Sequence, residues 1–262
     1  MPREQTLDAS LIARIASKAP KLSRDDRETL IACLMARMKR HGQRRFFLFY
    51  PDTGPLRREL YQKHLEFFRA GAKYRERCFM AANRVGKTEG AGGYELTCHL
   101  TGYYPPWWEG RRFAGPVRAW AAGKTNETTR DILQRKLLGN VASSGTKKTV
   151  DGTGMIIGDW LGKPTWKQGV PDLVDTVPVR HRGGGWSTLG MKSYQQGRGS
   201  FEGTEQHVIW LDEEPPVDVY GECLIRTMTT NGIIMLTFTP LEGMSEVVLQ
   251  FMPAEFRPDM GD

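Results

Sequence analysis

The residues best suited to chemistry lie between Phe79 and Thr88, in the segment FMAANRVGKT. This segment ends in Gly86, Lys87 and Thr88, and a short apolar run leads into it. Such a turn between a strand and a helix can bind phosphates, because the lysine reaches the β- and γ-phosphates and the threonine hydroxyl binds Mg²⁺. Backbone N–H groups at the start of the helix would face the phosphates. The sequence therefore predicts a nucleotide site.

The match to the usual phosphate-loop pattern is incomplete, because Ala81 holds the place of its first glycine. Alanine tolerates a positive φ poorly, so we expect the loop to enter the site at a different angle. The alternative is an exposed Gly-Lys turn that caps a helix and binds nothing. The predicted nucleotide-binding residues of the loop are Ala81, Ala82, Asn83, Arg84, Val85, Gly86, Lys87 and Thr88.

A second group of candidates ends the segment VIWLDEE, which runs from Val208 to Glu214. A continuous apolar run is typical of a strand that is buried on both faces of a parallel sheet. Ligands bind at the carboxyl edge of such sheets. There Asp212 would hold the Mg²⁺ shell, and Glu213 would polarise the attacking water as general base. A strand ending in Asp-Glu is common, but its occurrence after a Gly-Lys-Thr turn favours an ATPase. We interpret Glu214, the next residue, as a spare acid.

Three further candidate residues carry weaker signals. Thr237 and Thr239 end the last apolar run and would lie near the γ-phosphate if that strand neighbours the Asp-Glu strand. The alternative is ordinary strand composition, since threonine favours strands. Gln62 lies in a predicted helix from Leu56 to Ala70, and a glutamine amide can pair with N6 and N7 of adenine. Taken alone, however, this residue is better explained as a polar surface side chain.

The elements that must position these residues suggest a parallel α/β sheet. A strand at 117–122 is followed by a helix at 127–138, with Thr125 or Asn126 as its cap. We interpret residues 139–186 as an insertion of hairpins and loops. This insertion has strand candidates at 155–157 and 174–179, and further strands are predicted at 187–194, 208–212 and 232–240.

The N-terminal region predicts two helices within residues 6–41, the second capped by Ser23. Its basic end, residues 37–45, either contacts DNA phosphates or is a solvated helix end. The aromatic run 46–50 predicts a strand or a hydrophobic plug. The tryptophans at 107–108 either stack on bases or a partner protein, or fold over the core.

Composition restricts the function classes. The formal charge is +7, which permits an anionic partner such as nucleic acid and is equally explained by a solvated basic surface. The four cysteines form neither a disulfide framework nor a zinc motif, and they fit a reducing compartment. The charged N-terminus lacks the apolar region of a signal peptide, and no run of about 18 apolar residues predicts a membrane span. We therefore expect neither secretion nor membrane insertion.

Four motifs in this order resemble the ATPase domain of the large terminase subunits of tailed bacteriophages. They are Tyr61-Gln62, residues 84–88, residues 211–214 and residues 237–240. The segment at 196–204 is also similar to this family, and the resemblance covers roughly residues 46–252. It implies an α/β fold of the ASCE type of P-loop NTPase, with a mostly parallel central sheet flanked by helices. We assign residues 46–262 to this ATPase domain and residues 1–45 to a helical appendage.

The resemblance implies a motor that threads double-stranded DNA into a preformed capsid. It would hydrolyse ATP as a homo-oligomeric ring on the portal protein, with the small terminase subunit as partner, in the cytoplasm of the bacterial host. Arg84 would contact the γ-phosphate, and Arg198, flanked by glycines, is a candidate arginine finger acting in cis or on a neighbouring subunit. The other implied roles are phosphate and Mg²⁺ binding by Lys87 and Thr88, Mg²⁺ binding by Asp212, catalysis by Glu213, and coupling of hydrolysis to movement by Thr237 and Thr239.

The family also carries a nuclease domain after the ATPase domain. Only 22 residues follow Pro240 in the sequence, and we find no second constellation of carboxylates, so we expect the ATPase part alone, without nuclease activity. One competing interpretation is a helicase-like ATPase, which would need a second motor domain. Another is a nucleotide-binding scaffold without turnover, which Ala81 and the paired tryptophans favour. A turnover assay separates the scaffold from both motors.

Overall fold

The computed structural model of the protein describes residues 23, 25–30, 32–33, 44–145, 147–241, 243–253 and 255. The chain divides into two compact units, Met1–Gln43 and Arg44–Asp262. In the first unit, residues 25–30 and 32–33 are helical. The Ser23 hydroxyl accepts a hydrogen bond from the Asp26 N–H at 3.2 Å, which confirms the predicted N-cap. The rest of the predicted N-terminal helices and most of the basic segment lie outside the described residues.

The second unit is built on a mostly parallel sheet, as predicted. Its strand order is β1-β9-β8-β2-β7-β6-β5, in which β1, β9, β8, β2 and β7 are parallel and β6 and β5 are antiparallel. Strands β3 and β4 form a separate antiparallel hairpin. The strands are β1 Glu76–Met80, β2 Arg118–Gly123, β3 Val141–Ser144, β4 Lys147–Val150, β5 Thr165–Trp166, β6 Val174–Arg180, β7 Trp186–Ser193, β8 Val208–Asp212 and β9 Ile233–Phe238.

The helices cover both faces of this sheet. Helix α1 is Gln62–Ala70, and α2 begins with π geometry at Lys87–Gly93 and continues as Tyr94–Thr101. Helix α3 runs through Asn126–Thr128, Thr129–Gln134 and Arg135–Leu138, α4 is Val217–Met228, and α5 is Glu246–Phe251. Short 3₁₀ helices are Arg45–Leu48, Arg58–Tyr61, Gly158–Trp160, Tyr194–Gln196 and Arg198–Phe201. The Thr125 hydroxyl accepts from the Thr128 N–H at 3.1 Å, so Thr125 rather than Asn126 caps α3.

Strand β8 separates two hydrophobic cores. Val208 and Trp210 belong to the core on the side of α1 and α2, while Ile209 and Leu211 belong to the core on the side of α4 and α5. This alternation confirms the predicted strand with two buried faces. Helix α2 lies so close to the sheet that a Cβ at Gly92 would be 2.2 Å from the Trp210 indole nitrogen. Glycine is therefore required where the helix crosses this ring.

The aromatic segments belong to the core. Phe46 lies in a 3₁₀ helix and stacks on Tyr94 with ring centroids 4.7 Å apart, so the run at 46–50 is the plug and not a strand. Trp108 is 3% exposed, and its indole donates to the Arg111 carbonyl at 3.0 Å. Trp107 lies parallel to Tyr94 at 6.2 Å. The tryptophans therefore fold over the core, because the aromatic face of α2 lies beside them.

Two local predictions were wrong. Residues 155–157 are buried but form no strand, because the Met155 and Ile156 N–H groups bond the last carbonyls of α3, those of Lys136 and Leu137. An apolar run that covers a helix end has the same composition as a buried strand. The helix predicted from Leu56 to Ala70 begins only at Gln62, and Leu60 lies 54% exposed in the 3₁₀ turn that precedes it.

Candidate nucleotide site

The phosphate loop connects β1 to α2 at the carboxyl edge of the sheet. Ala81 extends the strand, since its N–H donates to the Phe238 carbonyl of β9 at 3.2 Å. The positive φ angles of the loop fall on Arg84, at 65°, and Gly86, at 83°. The place of the missing first glycine is therefore occupied by extended backbone, which alanine adopts readily, and the left-handed turns lie further along the loop.

Lys87 opens α2 and joins the loop to the end of β9. It is 7% exposed, and its ammonium donates to the Ala82 carbonyl at 2.9 Å and to the Thr239 hydroxyl at 2.8 Å. The Thr239 oxygen also lies 2.9 Å from the Ala81 carbonyl and 3.0 Å from Asn83 Oδ1. Thr239 thus contacts the phosphate loop at three residues.

The acidic strand meets the same loop. Asp212 lies opposite Thr237 in the β8–β9 register, and the Thr237 hydroxyl donates to Asp212 Oδ1 at 2.7 Å. The Trp210 indole donates to Thr237 Oγ1 at 2.8 Å and so fixes the direction of that hydroxyl. The other carboxylate oxygen, Oδ2, lies 3.3 Å from the Thr88 hydroxyl. Because β9 lies between β1 and β8, it holds the loop and the acid at one edge.

Asp212 is an unusual carboxylate. Burial raises its pKa to about 7, against the hydrogen bonds from Thr237 and Thr88 and the charge of Lys87, while neighbouring Glu213 raises it further. A buried carboxylate that needs more positive charge, next to a hydroxyl oxygen, is a donor pair suited to a hard cation. Mg²⁺ takes such oxygen ligands, often one or two from the protein with the remainder from phosphates and water. Thr88 and Asp212 therefore fit Mg²⁺.

Glu213 leaves the sheet through a strained turn. Its φ is 65°, a left-handed conformation that is uncommon for a residue with a side chain, and the side chain is exposed. Its N–H donates to the Thr237 carbonyl at 3.0 Å. The Tyr194 hydroxyl lies 3.1 Å from the Glu213 carbonyl. Sequence reasoning missed Tyr194, because nothing in its surroundings along the chain connects it to β8.

A cavity of about 270 Å³ adjoins the loop. Its lining includes Tyr61, His64, Arg84 and Glu89, and it is otherwise mostly aromatic and apolar. The side chain of Gln62 does not line it, since its amide is exposed and donates to the Glu59 carbonyl at 3.1 Å. The structure therefore places Tyr61, and not its neighbour, on the cavity.

His64 supports the loop from behind and was not a sequence candidate. Its Nε2 lies 3.0 Å from the Val85 carbonyl and its Nδ1 lies 2.6 Å from the Tyr50 hydroxyl. Burial lowers the pKa of His64, so the ring is neutral at pH 7. In that state Nε2–H donates to Val85, and the Tyr50 proton is shared between Nδ1 and the Gly90 carbonyl, which lies 2.7 Å from the hydroxyl. The sequence indicated a role for His64 only by placing a polar residue on the apolar side of α1.

The two candidate arginines lie apart. Arg84 lines the cavity beside the loop. The guanidinium of Arg198 lies 3.0 Å from Glu222 of α4 and 3.8 Å from Glu202. Its segment forms the 3₁₀ turns Tyr194–Gln196 and Arg198–Phe201. The structure thus brings Lys87, Thr88, Asp212, Thr237 and Thr239 together, whereas Arg198 contacts α4 instead of the phosphate loop.

Comparison with known proteins identifies the family. The family model described as "Terminase large subunit, T4likevirus-type, N-terminal" matches residues 78–257. The chain belongs to this family of large terminase subunits. The terminase large subunit of Salmonella phage P22 is 40% identical over 213 residues, which are 73% of this chain and 41% of that protein. This terminase chain therefore spans about two fifths of the curated relative it matches.

Solved structures of terminases are also similar. A variant of the large terminase ATPase domain of Thermus phage P74-26 has a TM-score of 0.46 and 16% identity, over 68% of this chain and 64% of that one. A large terminase from a thermophilic bacteriophage, in complex with ADP, has a TM-score of 0.41 and 13% identity, over 68% and 37% of the two chains. The fold class follows from the sheet of this terminase itself, in which β9 separates the loop strand from the acid strand.

Proposed function

We propose that this terminase chain is an ATP-hydrolysing motor domain that drives double-stranded DNA into a procapsid. The observation that supports the proposal most is the meeting of Thr88 and Asp212, whose side-chain oxygens lie 3.3 Å apart. Phosphate-loop NTPases need a hydroxyl from the loop and an acid from a neighbouring strand at one metal ion. A scaffold that bound no Mg²⁺-nucleotide would not need this arrangement, and turnover separates the motor from a scaffold that binds nucleotide without hydrolysing it.

The residues of the site divide the work of hydrolysis. Backbone N–H groups of the loop and the Lys87 ammonium would bind the phosphates of ATP, with Lys87 exchanging its bonds to Ala82 and Thr239 for phosphate oxygens. Thr88 and Asp212 would hold Mg²⁺. Bound there, Mg²⁺ would supply positive charge to offset the negative charge that develops on the phosphates. Glu213, exposed at the strand end, would accept a proton from the attacking water.

Strand β9 is positioned to report the state of the site. Thr239 contacts Lys87, and Thr237 contacts Asp212, so one strand end contacts both the phosphate-binding and the metal-binding residue. Movement of Lys87 toward a phosphate would break its bond to Thr239. We propose that this change couples hydrolysis to movement of the chain.

Arginines would complete the site. We propose that Arg84, on the cavity beside the loop, contacts the γ-phosphate. For Arg198, which pairs with Glu222 of α4, we propose an arginine finger that acts in cis or on a neighbouring subunit. An arginine finger accelerates hydrolysis on the order of 10³-fold or more. Full DNA-stimulated turnover by Arg198→Ala would refute this role.

The partners follow from the motor role. We propose double-stranded DNA, the portal protein and the small terminase subunit, with assembly as a ring on the portal, in the host cytoplasm and transiently on the procapsid. No helix within the described residues is long and apolar enough to cross a membrane. Absence of nuclease activity remains a prediction, and cleavage of plasmid DNA with Mn²⁺ would contradict it.

Steady-state ATP hydrolysis tests the proposal. Wild type and Lys87→Ala are compared over a range of protein concentrations, with and without double-stranded DNA. We expect hydrolysis by wild type only, with turnover per subunit rising with concentration if the finger acts between subunits. ATP binding without turnover in wild type under every condition would contradict the motor proposal and favour a scaffold.

A further inference from the structure

Tyr194 places one polar atom where the acidic strand turns. It begins the 3₁₀ turn after β7, is 6% exposed and belongs to the core on the side of α4. Its hydroxyl lies 2.9 Å from the Asp212 carbonyl, 3.1 Å from the Glu213 carbonyl and 3.4 Å from the Ala122 carbonyl. The side chain thus reaches from β7 past the end of β2 to the end of β8.

The Tyr194 hydroxyl acts only as a hydrogen-bond donor in these contacts. Burial, followed by the nearby charge of Asp212, raises the pKa of Tyr194 well above its ordinary value, so the phenol keeps its proton. Its neighbours at hydrogen-bonding distance are carbonyl oxygens, which only accept. The single proton is therefore shared between the two nearer carbonyls, those of Asp212 and Glu213.

These carbonyls flank the strained turn. Glu213 holds a φ of 65°, and a left-handed conformation is unfavourable for a residue that is not glycine. Such a conformation persists only when the surroundings hold it. Here the Glu213 N–H donates to the Thr237 carbonyl, and the Glu213 carbonyl accepts from the Tyr194 hydroxyl. Both peptide groups are held, so the direction in which the side chain leaves the backbone is defined.

We propose that Tyr194 is a positioning residue for Glu213, acting through the backbone and touching neither substrate nor metal. This inference rests on the proposed function, because it assigns Glu213 the role of general base. A base acts only when its carboxylate is within hydrogen-bond reach of the attacking water. Removal of the hydroxyl would leave nucleotide binding intact and would reduce the fraction of time that the carboxylate spends in reach.

The matched variants are Tyr194→Phe and Tyr220→Phe. Tyr220 is buried in the same core, but its hydroxyl donates to Glu76 Oε2 at 2.6 Å, away from the turn. Each substitution removes one buried hydroxyl and leaves the ring. We expect Tyr194→Phe to lower kcat about 10-fold with KM for ATP and fluorescent-nucleotide affinity unchanged, as loss of one well-placed hydrogen bond allows. Tyr220→Phe should keep the wild-type kcat.

The outcomes separate this inference from the motor proposal. No turnover by wild type would overturn the proposed function and this inference with it. Turnover by wild type with equal kcat for Tyr194→Phe and Tyr220→Phe would overturn this inference alone. A fall in nucleotide affinity parallel to kcat would also overturn it, since it would indicate general damage to the site.

A second measurement guards against an unstable variant. Tyr194→Phe is combined with Glu213→Gln, and residual single-turnover hydrolysis is measured. A residue that acts through Glu213 should change the rate less than 2-fold once the base is absent, because effects within one catalytic unit are not additive. A further fall of about 10-fold in this background would contradict the inference.

Discussion

Two buried carboxylates in this terminase behave in opposite ways. Glu95 of α2 is 0% exposed and Asp212 is 4% exposed. Glu95 receives two hydrogen bonds from Arg77, at 2.7 and 3.0 Å, and lies 3.2 Å from His99 Nε2. Burial alone would raise its pKa, but the charge of Arg77 and the bonds from His99 and Arg77 lower it. Burial of Asp212 is offset less completely, and its pKa rises to about 7.

The difference distinguishes a structural charge from a functional one. Both oxygens of the Glu95 carboxylate are paired within the chain, and the network continues outward, since His99 accepts from Tyr104 at 3.0 Å and Tyr104 accepts from the Phe113 N–H at 2.8 Å. Among the described residues, the side chains that donate to Asp212 are the hydroxyls of Thr237 and Thr88, and Lys87 adds its charge. A carboxylate left in this condition is stabilised by a bound metal ion. The incomplete compensation of the Asp212 charge is what the proposed metal-binding role requires.

The largest expected effect on stability comes from breaking the ion pair of Arg77 and Glu95. Arg77→Met leaves Glu95 buried without its cation, and we expect a loss of about 3–5 kcal/mol in the free energy of unfolding. Denaturant titration measures it. The exposed pair of Arg69 and Glu109 is the control, since Arg69→Met should cost less than about 1 kcal/mol. Equal losses for the two variants would show that burial does not set the strength of these pairs.

Neutralising the other carboxylate should have the opposite sign. Asp212→Asn should stabilise the protein at pH 8 in EDTA by up to about 4 kcal/mol while it abolishes hydrolysis, because the native pKa is raised from 3.8 to about 7. The native state of wild type then binds more protons than the unfolded state between these values. The cost of the charged Asp212 is therefore full above pH 7 and disappears as the pH falls toward 4.

Thermal unfolding from pH 4 to pH 8 checks this sign. The difference between Asp212→Asn and wild type should grow as the pH rises. Glu95→Gln is the comparison and should destabilise the protein, because it removes the charge that Arg77 requires. A stability difference for Asp212→Asn that shrinks with rising pH would contradict the assignment.

A smaller effect is expected at the hydroxyl that supports Asp212. Thr237→Val removes the donor to Oδ1 and raises the pKa of Asp212 further. Because a proton competes with Mg²⁺, the pH midpoint of Mg²⁺-dependent ADP binding should rise by about one unit. Thr227→Val is the control, since its buried hydroxyl bonds the Cys223 carbonyl instead. An unchanged midpoint in Thr237→Val would separate this hydroxyl from the metal site.

The smallest effect on stability is expected at Tyr104, the outermost side chain of the Glu95 network. Tyr104→Phe removes the hydroxyl between His99 and the Phe113 N–H, and we expect a loss of about 1 kcal/mol in stability. ATP turnover should not change, because the network ends in the aromatic loop and not in the site. A fall in kcat would show that the two buried carboxylates are coupled.

Local patterns predicted the elements that carry the site. The apolar run of β8 and the Gly-Lys-Thr turn each define their own geometry, so the meeting of Thr88 and Asp212 could be anticipated from two segments. The contacts of Tyr194 and of Trp210 with the site could not. These contacts depend on strand order and register, since Tyr194 reaches the end of β8 past the end of β2. A local sequence pattern determines neither strand order nor register.

Residues 155–157 and Gln62 show that composition alone does not determine which contacts a segment makes. Residues 155–157 have the apolar composition of a strand, but their N–H groups bond the end of α3. Gln62 has the chemistry to read adenine, but the turn before α1 directs its amide to Glu59. Residues 155–157 contact carbonyls of α3 that lie far away in the chain, whereas Gln62 contacts a carbonyl only three residues before it. Composition decides neither contact.

The claim that the edge of β8 is a hydrolytic centre is tested most directly by two adjacent acids. Glu213→Gln and Glu214→Gln are compared with wild type in steady-state hydrolysis of MgATP, because the Glu214 carboxylate accepts a hydrogen bond from Ser245. We expect a loss of about 10²-fold or more in kcat for Glu213→Gln, as for removal of a general base, and near wild-type turnover for Glu214→Gln. Retained turnover in Glu213→Gln, or a larger loss in Glu214→Gln, would contradict it.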